Sequence, residues 1–291
     1  MTGAVWLASY PRSGNTWTRA LLTNLLRTGG ESASINRLVA PNVSTRSLFD
    51  RVTGLDSGYL PPATVRRLRP ELHEALAAVP GPRPRLFKVH DAWEGDIDGR
   101  PLFPPAVTSG VVYITRHPVD VAASLAHHAA RSFADTVRQM ESEDSYLARG
   151  TRGVPVQLPQ RLSTWSGHVR SWLRDSGLPV HIVHYEALSR DPERELTTLA
   201  SFLAIPATPA DVTRAVDFSR FEELRAQESD HGFREGSARA DRFFRRGRVG
   251  TGFDELPAEL IRVVGEAHGE VMAELGYDPT RPGLSPPSPS A

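Results

Sequence analysis

The hydrophobic pattern at the start of the chain switches from a strand-like run to a helical period. Ala4 to Tyr10 is a largely apolar run of strand length, broken by Pro11-Arg12-Ser13-Gly14-Asn15. Trp17, Ala20, Leu21 and Leu25 then recur every three or four residues up to Gly29-Gly30, which predicts a helix with a glycine stop. Residues 31–84 mix helix and loop signals and predict only one helix, over 70–79. Further strands are predicted at 85–90, at 110–115, where Val-Val-Tyr-Ile suits burial on both faces, and at 179–184. Pro118 and Asp120 open a helix over 118–130, 165–173 is helical, and Asp191-Pro192 starts a helix reaching Leu203. A last amphipathic helix is predicted over 257–275, with Leu260, Ile261, Val264, Ala267, Val271 and Leu275 on its apolar stripe and Gly276 as its stop. Residues 131–159 are polar and irregular, as a mobile lid or acceptor loop would be.

Strands alternating with helices predict an α/β fold: a single domain over 1–278 with a mainly parallel central sheet flanked by helices. Ligands in such sheets bind beyond the carboxyl ends of the strands. The Pro- and Ser-rich stretch 279–291 is expected to be a disordered tail.

Charge changes the picture by what it excludes. The 34 basic and 34 acidic residues cancel, so no global field recruits nucleic acid or an anionic membrane, and any anion site must be local. The absence of cysteine rules out a disulfide framework and Cys-ligated zinc. No apolar run approaches the roughly 20 residues that span a bilayer, and the expected location is the cytoplasm. A homodimer is compatible with such a chain. Almost every basic residue is arginine; Lys88, between Phe87 and His90, is the sole lysine, which suggests that an ammonium group is required there.

Three segments could carry chemistry. Residues 10–17, Tyr-Pro-Arg-Ser-Gly-Asn-Thr-Trp, form a strand-loop-helix junction whose first N–H groups and dipole suit a phosphate, in a P-loop-like arrangement that lacks the Walker A spacing. An ordinary β–α turn would use the same residues. In the second segment Arg116 closes a strand and Ser124 falls two turns into the next helix, so guanidinium and hydroxyl could share an anion. The third, Arg245-Arg246-Gly247-Arg248-Val249-Gly250, could wrap an anion or be a solvated turn.

Together these segments resemble the cytosolic-type sulfotransferases that use 3′-phosphoadenosine 5′-phosphosulfate (PAPS). That family carries Tyr-Pro-Lys-Ser-Gly-Thr-Thr-Trp, Lys-Thr-His, Arg-Asn-Pro-x-Asp-x-x-x-Ser and Arg-Lys-Gly-x-x-Gly in this order. Here they stand at residues 10–17, at 88–90 as Lys-Val-His, at 116–124 as Arg-His-Pro-Val-Asp-Val-Ala-Ala-Ser, and at 245–250. Weaker similarities lie at Trp165-x-x-His168-Val169-x-x-Trp172, Tyr185-Glu186 and Ser219-Arg220-Phe221.

The resemblance implies roles. Arg12, Ser13, Gly14, Asn15, Thr16 and Trp17 would bind the 5′-phosphosulfate, with Trp17 beside the adenine. Arg116, Ser124, Arg245, Arg246 and Gly247 would hold the 3′-phosphate, and Tyr185, Ser219 and Phe221 would line the nucleoside. His90 would be the base, assisted by Lys88 and Arg12, with adenosine 3′,5′-bisphosphate (PAP) as product and no metal. An imidazole suits removal of a hydroxyl proton near neutral pH, and Lys88 shares its face of an extended strand. Arg12 stands where the family has Lys, Asn15 where it has a hydroxyl residue, and His117 where it has Asn. Thr251-Gly252-Phe253 replaces Asp-Trp-Lys, which puts that end of the clamp in question. The partner implied is a small-molecule hydroxyl acceptor. The Arg-, Ala- and Pro-rich composition resembles that of high-GC bacteria and suggests a secondary metabolite, with carbohydrate and lipid left open. Two other functions stay open on the residues: a nucleotide-dependent kinase and a non-catalytic nucleotide-binding protein.

Overall fold

The computed structural model describes residues 3–79, 85–150, 153–236 and 240–285. In chain order the elements are β1 (Ala4–Ala8), α1 (Asn15–Leu26), α2 (Arg46–Thr53), α3 (Pro62–Ala78), β2 (Arg85–Val89), β3 (Thr108–Thr115), α4 (Pro118–Ala129) and α5 (Phe133–Met140). The two-residue strands β4 (Tyr146–Leu147) and β5 (Gln160–Arg161) follow, then α6 (Trp165–Arg170), β6 (Val180–His184), α7 (Tyr185–Arg190) and α8 (Pro192–Phe202). The chain continues through α9 (Pro209–Asp217), α10 (Phe221–His231), α11 (Thr251–Glu255) and α12 (Ala258–Glu274).

The main sheet has the order β2-β1-β3-β6, and β1 pairs in parallel with both β2 and β3, placing Leu7 opposite Lys88 and Ala8 opposite Tyr113. Every residue of β1 and β2 is buried, as the unbroken apolar run of β1 requires in a sheet covered on both faces, and β2 buries Arg85 and Lys88 with its apolar residues. This is the expected α/β architecture. The residues gather into two compact units, one comprising Met1–Tyr10, Ala40–Tyr113 and Ser142–Ile182, the other Pro11–Val39, Ile114–Glu141 and Val183–Ala291.

The first unit is built around Trp6 of β1. Its ring lies 5.3 Å from His73 of α3, 5.5 Å from Phe87 of β2 and 5.1 Å from Phe103. His73 stacks on Phe103 at 4.5 Å, and burial pulls its pKa down to about 3, so it packs as a neutral ring. In the second unit Ala20, Ile35, Leu224 and Phe244 form a core joined by Trp17, Phe221 and Phe243. There α11 lies against the first turn of α4: a Cβ on Gly252 would fall 2.2 Å from the Val119 carbonyl oxygen.

Several expectations need correction. The helix placed at 70–79 begins at Pro62, because Pro62 occupies a first-turn position that needs no N–H and Pro70 sits inside the helix. The irregular stretch 131–159 contains α5, opened by Ser132, whose Oγ accepts from the Asp135 N–H at 3.1 Å. Helix α1 ends at Leu26, before the glycines, and α2, α7, α9 and α10 were not predicted at all. On α12 the side chains buried beside Val264 and Val271 are His268 and Met272, whereas Ala267 is exposed. The tail folds back as far as Ser285, whose N–H donates to the Gly276 carbonyl at 2.7 Å while Leu284 bridges Tyr277; residues 286–291 lie outside the described residues. Among the described residues no helix is long and apolar enough to cross a membrane.

Candidate functional site

The second unit contains all of the residues expected to bind nucleotide. Its loop before α1 carries two positive-φ positions, Arg12 at 70° and Gly14 at 105°. Gly14 is required twice over, since its backbone is left-handed and a Cβ there would meet the Tyr185 ring at 2.7 Å. Gly14 is also the N-cap of α1, and no side chain among the described residues caps that helix. The positive end of the helix dipole at this junction suits an anion.

Arg12 holds its strained backbone through side-chain contacts. Its Nε donates to Ser124 Oγ at 3.0 Å, one terminal nitrogen donates to the Phe243 carbonyl at 3.0 Å, and the guanidinium lies 4.1 Å over the Phe243 ring. Burial, followed by the nearby Arg116, pulls its pKa down to about 10. Cations crowded like this repel one another until an anion joins them. Arg12 Nη1, Arg116 Nε and Ser13 Oγ are buried with no hydrogen-bond partner among the described residues. Buried polar atoms are normally satisfied, so these three are available to anionic oxygens.

Arg116 follows the end of β3. Its guanidinium lies 4.2 Å over the Tyr185 ring and donates to the Arg248 carbonyl at 3.0 Å. The wholly buried Asp120 accepts from the N–H groups of Gly250 at 2.8 Å and Gly252 at 2.6 Å. One carboxylate in the first turn of α4 therefore anchors the segment whose sequence departs from the family pattern. Gly252 answers that departure, because its missing Cβ permits the close approach to α4. The anchoring role of Asp120 was not foreseen; the signal was an Asp two residues after Pro118 with no helix N-terminus of its own to cap, since the His117 side chain caps α4.

Tyr185, Ser219 and Phe221 also join this cradle. The Tyr185 ring meets Trp17 edge-on at 5.6 Å, and Trp17 Nε1 donates to the Ser219 carbonyl at 2.9 Å. Ser219 Oγ accepts from Asn24 Nδ2 at 2.9 Å. Phe221 closes on the next turn, where a Cβ on Gly247 would fall 2.1 Å from its ring. Arg245 and Arg246 are engaged differently from expectation: both bond to Glu255, at 2.7 and 3.1 Å.

Lys88 and His90 belong to the first unit. Lys88 is buried at the end of β2, its backbone bonded through N–H to the Pro41 carbonyl. His90 Nδ1 lies 2.9 Å from the Ser9 carbonyl oxygen and 3.2 Å from Ser9 Oγ. A carbonyl only accepts, so Nδ1 carries the proton and the lone pair of the neutral ring resides on Nε2. The same logic fixes His168. Its Nε2 faces the His90 carbonyl at 3.1 Å and therefore donates, and its Nδ1 accepts from the Tyr113 hydroxyl at 2.8 Å. Burial pulls the His168 pKa down to about 4, keeping that ring neutral. Asp91 is held on either side, its carboxylate in a bidentate pair with Arg69 at 2.5 and 2.7 Å and its carbonyl accepting from Trp172 Nε1 at 2.9 Å. Residue 90 is thus set in a rigid frame by polar groups that periodicity does not reveal.

A family model described as the sulfotransferase domain matches residues 2–276. Sulfotransferase 1E1 of Homo sapiens is 24% identical over 225 residues, covering 75% of this chain and 65% of that protein. Cytosolic sulfotransferase 7 of Arabidopsis thaliana is 27% identical over 272 residues, covering 89% of this chain and 75% of that protein. The chain thus spans about two thirds of the human relative's length. Two solved structures share the fold: mouse sulfotransferase SULT7A1 complexed with PAP, with a TM-score of 0.60 at 18% identity over 94% of this chain and 84% of that one, and retinol dehydratase with retinol and PAP, with a TM-score of 0.61 at 19% identity over 94% and 82%.

Proposed function

Because the chain belongs to the sulfotransferase domain family, we propose that it transfers the sulfuryl group of PAPS to a hydroxyl of a small-molecule acceptor. The observation that carries this reading is the cradle of the second unit, where Arg12 bonds to Ser124, Arg116 to the Arg248 carbonyl and Gly252 to Asp120, and where Arg12 and Arg116 each keep a buried donor without a partner among the described residues. Both structural relatives are complexed with PAP, which supports a 3′-phosphorylated adenosine as the ligand. The 5′-phosphate would sit on the N–H groups at the head of α1 with Arg12, Ser13 and Thr16. The 3′-phosphate would take Arg116, Ser124 and the Arg245–Gly247 turn, and the base would lie among Trp17, Tyr185 and Phe221.

When bound, PAPS supplies an activated sulfuryl group. In the transfer a bond forms between the acceptor oxygen and sulfur as the bond from sulfur to the 5′-phosphate oxygen breaks, giving a sulfate ester and PAP. His90 takes the hydroxyl proton on Nε2, the atom left basic by the Nδ1 bond to Ser9. General base catalysis of this kind is worth roughly 10² to 10⁴ in rate. Lys88 and Arg12 offset the charge that develops on the leaving oxygen, a role in which fixed cations outperform water. A secondary metabolite is the proposed acceptor and the cytoplasm the proposed location, the latter in line with the plant relative's description as cytosolic.

Calorimetry with PAP in magnesium-free buffer, beside ATP with magnesium, tests the donor assignment. Tight PAP binding without the metal is expected, and preference for ATP with magnesium would replace this reading with a kinase. Labelled donor offered to a panel of hydroxylated compounds then tests transfer; PAP binding without sulfation of any of them would favour a non-catalytic role.

A further inference from the structure

Glu255, at the end of the short helix α11, stands out because of which residues it engages. Its Oε1 accepts from Arg245 at 2.7 Å and Arg246 at 3.1 Å, and its Oε2 faces His127 Nε2 at 2.7 Å. Its side chain is only 12% exposed, and three basic side chains surround its two oxygens. Burial disfavours the charged carboxylate, but the bonds from Arg245 and His127 outweigh it and hold the pKa below the ordinary range. A carboxylate in a nest of this kind has the donor set of a bound phosphate.

We propose that Glu255 is a specificity-determining residue that competes with the 3′-phosphate of the nucleotide for Arg245 and Arg246, and so sets how strongly the site prefers 3′-phosphorylated over unphosphorylated adenosine nucleotides. This rests on the placement of the 3′-phosphate given above. A phosphate arriving at this turn either displaces the carboxylate or settles beside it. In the first case the arginine bonds to Glu255 must be given up, and in the second two anions share one cluster of cations. Both lower the affinity, and both act on the 3′-phosphate alone. Asp254 has a different partner, Arg248, so the competition is specific to Glu255. The opposing effect would be preorganisation: Glu255 could hold the arginines in place. It is the smaller here, because Arg246 is 46% exposed and no described side chain other than Glu255 fixes the two guanidiniums, so they can re-aim at little cost.

The test compares the full chain with Glu255→Gln, which keeps the side chain's shape but removes its charge and one acceptor oxygen, and with Glu259→Gln, an exposed acid on α12 that controls for net charge. Calorimetric affinities for PAP and adenosine 5′-monophosphate are measured for each, with thermal melts to confirm folding. Glu255→Gln should bind PAP about 1.5- to 5-fold more tightly, the range for a partly exposed ion pair, with the monophosphate unchanged. Glu259→Gln should leave the ratio of the two affinities unchanged. Unchanged or weaker PAP binding by a folded Glu255→Gln protein overturns the proposal, as does equal tightening for both nucleotides. Wild-type protein that does not distinguish PAP from the monophosphate overturns instead the placement of the 3′-phosphate.

Discussion

Replacing Asp120 by Asn should cost the protein both stability and nucleotide affinity. Its carboxylate is fully buried and takes the Gly252 N–H on Oδ1 at 2.6 Å and the Gly250 N–H on Oδ2 at 2.8 Å, with the Arg116 guanidinium 3.5 Å away. Asparagine retains one oxygen and turns an NH2 group toward the other backbone donor, so one charge-assisted bond is lost and a donor faces a donor. A hydrogen bond to a charged group is worth roughly 1.5 to 3 kcal/mol, and the loss should be about 2 to 3 kcal/mol. For a chain of this size that is a drop in Tm of roughly 3 to 5 °C. Two effects on PAP binding oppose each other. Removing a negative charge near Arg116 favours the phosphate, whereas loosening residues 248–252 withdraws the carbonyl of Arg248 that aims Arg116. The long 3.5 Å contact makes the first effect the smaller, so PAP should bind about 10-fold more weakly. Differential scanning fluorimetry and calorimetry measure both. A variant that melts within a degree of wild type and binds PAP as tightly would refute the anchoring role.

Further outcomes are expected. His90→Ala should abolish turnover with PAP affinity unchanged; wild-type turnover would remove His90 from the base role. Arg116→Ala should lose about 1.5 to 3 kcal/mol of PAP binding while sparing adenosine 5′-monophosphate, and equal losses for both would contradict its placement. Tyr113→Phe removes the partner of His168 Nδ1 and loosens the ring whose Nε2 donates to the His90 carbonyl, so kcat should fall several-fold at constant PAP affinity; an unchanged kcat would show that the frame behind His90 does not need this bond. Stability should depend on pH through His73, His168 and His268, whose pKa values in the fold are lowered to about 3, 4 and 4 by burial. Their depressed folded pKa means that the unfolded chain takes up protons first. Stability is therefore complete above the unfolded value of about 6.5 and should fall by up to about 4 kcal/mol per pH unit between 6.5 and 4. Urea melts that stay flat from pH 7 to 5 would show that these rings are not held neutral.

What the sequence disclosed follows from how local each signal is. Helix α12 was legible within one residue at each end because its apolar stripe is long and Gly276, at φ 75°, stops it. The junction into α1 was legible because Ser13, Gly14 and Asn15 satisfy a turn and a helix start together. Helix α10 carries little periodic signal and buries only Leu224, so packing rather than pattern defines it. For the site, ordered motifs pointed to Arg12, Arg116 and Ser124, and the fold bonds Arg12 to Ser124 and sets Arg116 near enough to act on the Arg12 charge. The roles of Asp120, Glu186 and Glu255 could not be read that way. Each acts on a residue distant in sequence, as Glu186 does by accepting from the His117 N–H at 2.8 Å and the Tyr277 hydroxyl at 2.9 Å. A lone acidic letter does not disclose its partner.

The most direct measurement is a crystal structure of the full chain with PAP. The 5′-phosphate should lie on the N–H groups at the start of α1, with the 3′-phosphate about 3 Å from both the Arg116 guanidinium and Ser124 Oγ. A nucleotide bound elsewhere, or a 3′-phosphate touching neither side chain, would contradict the account.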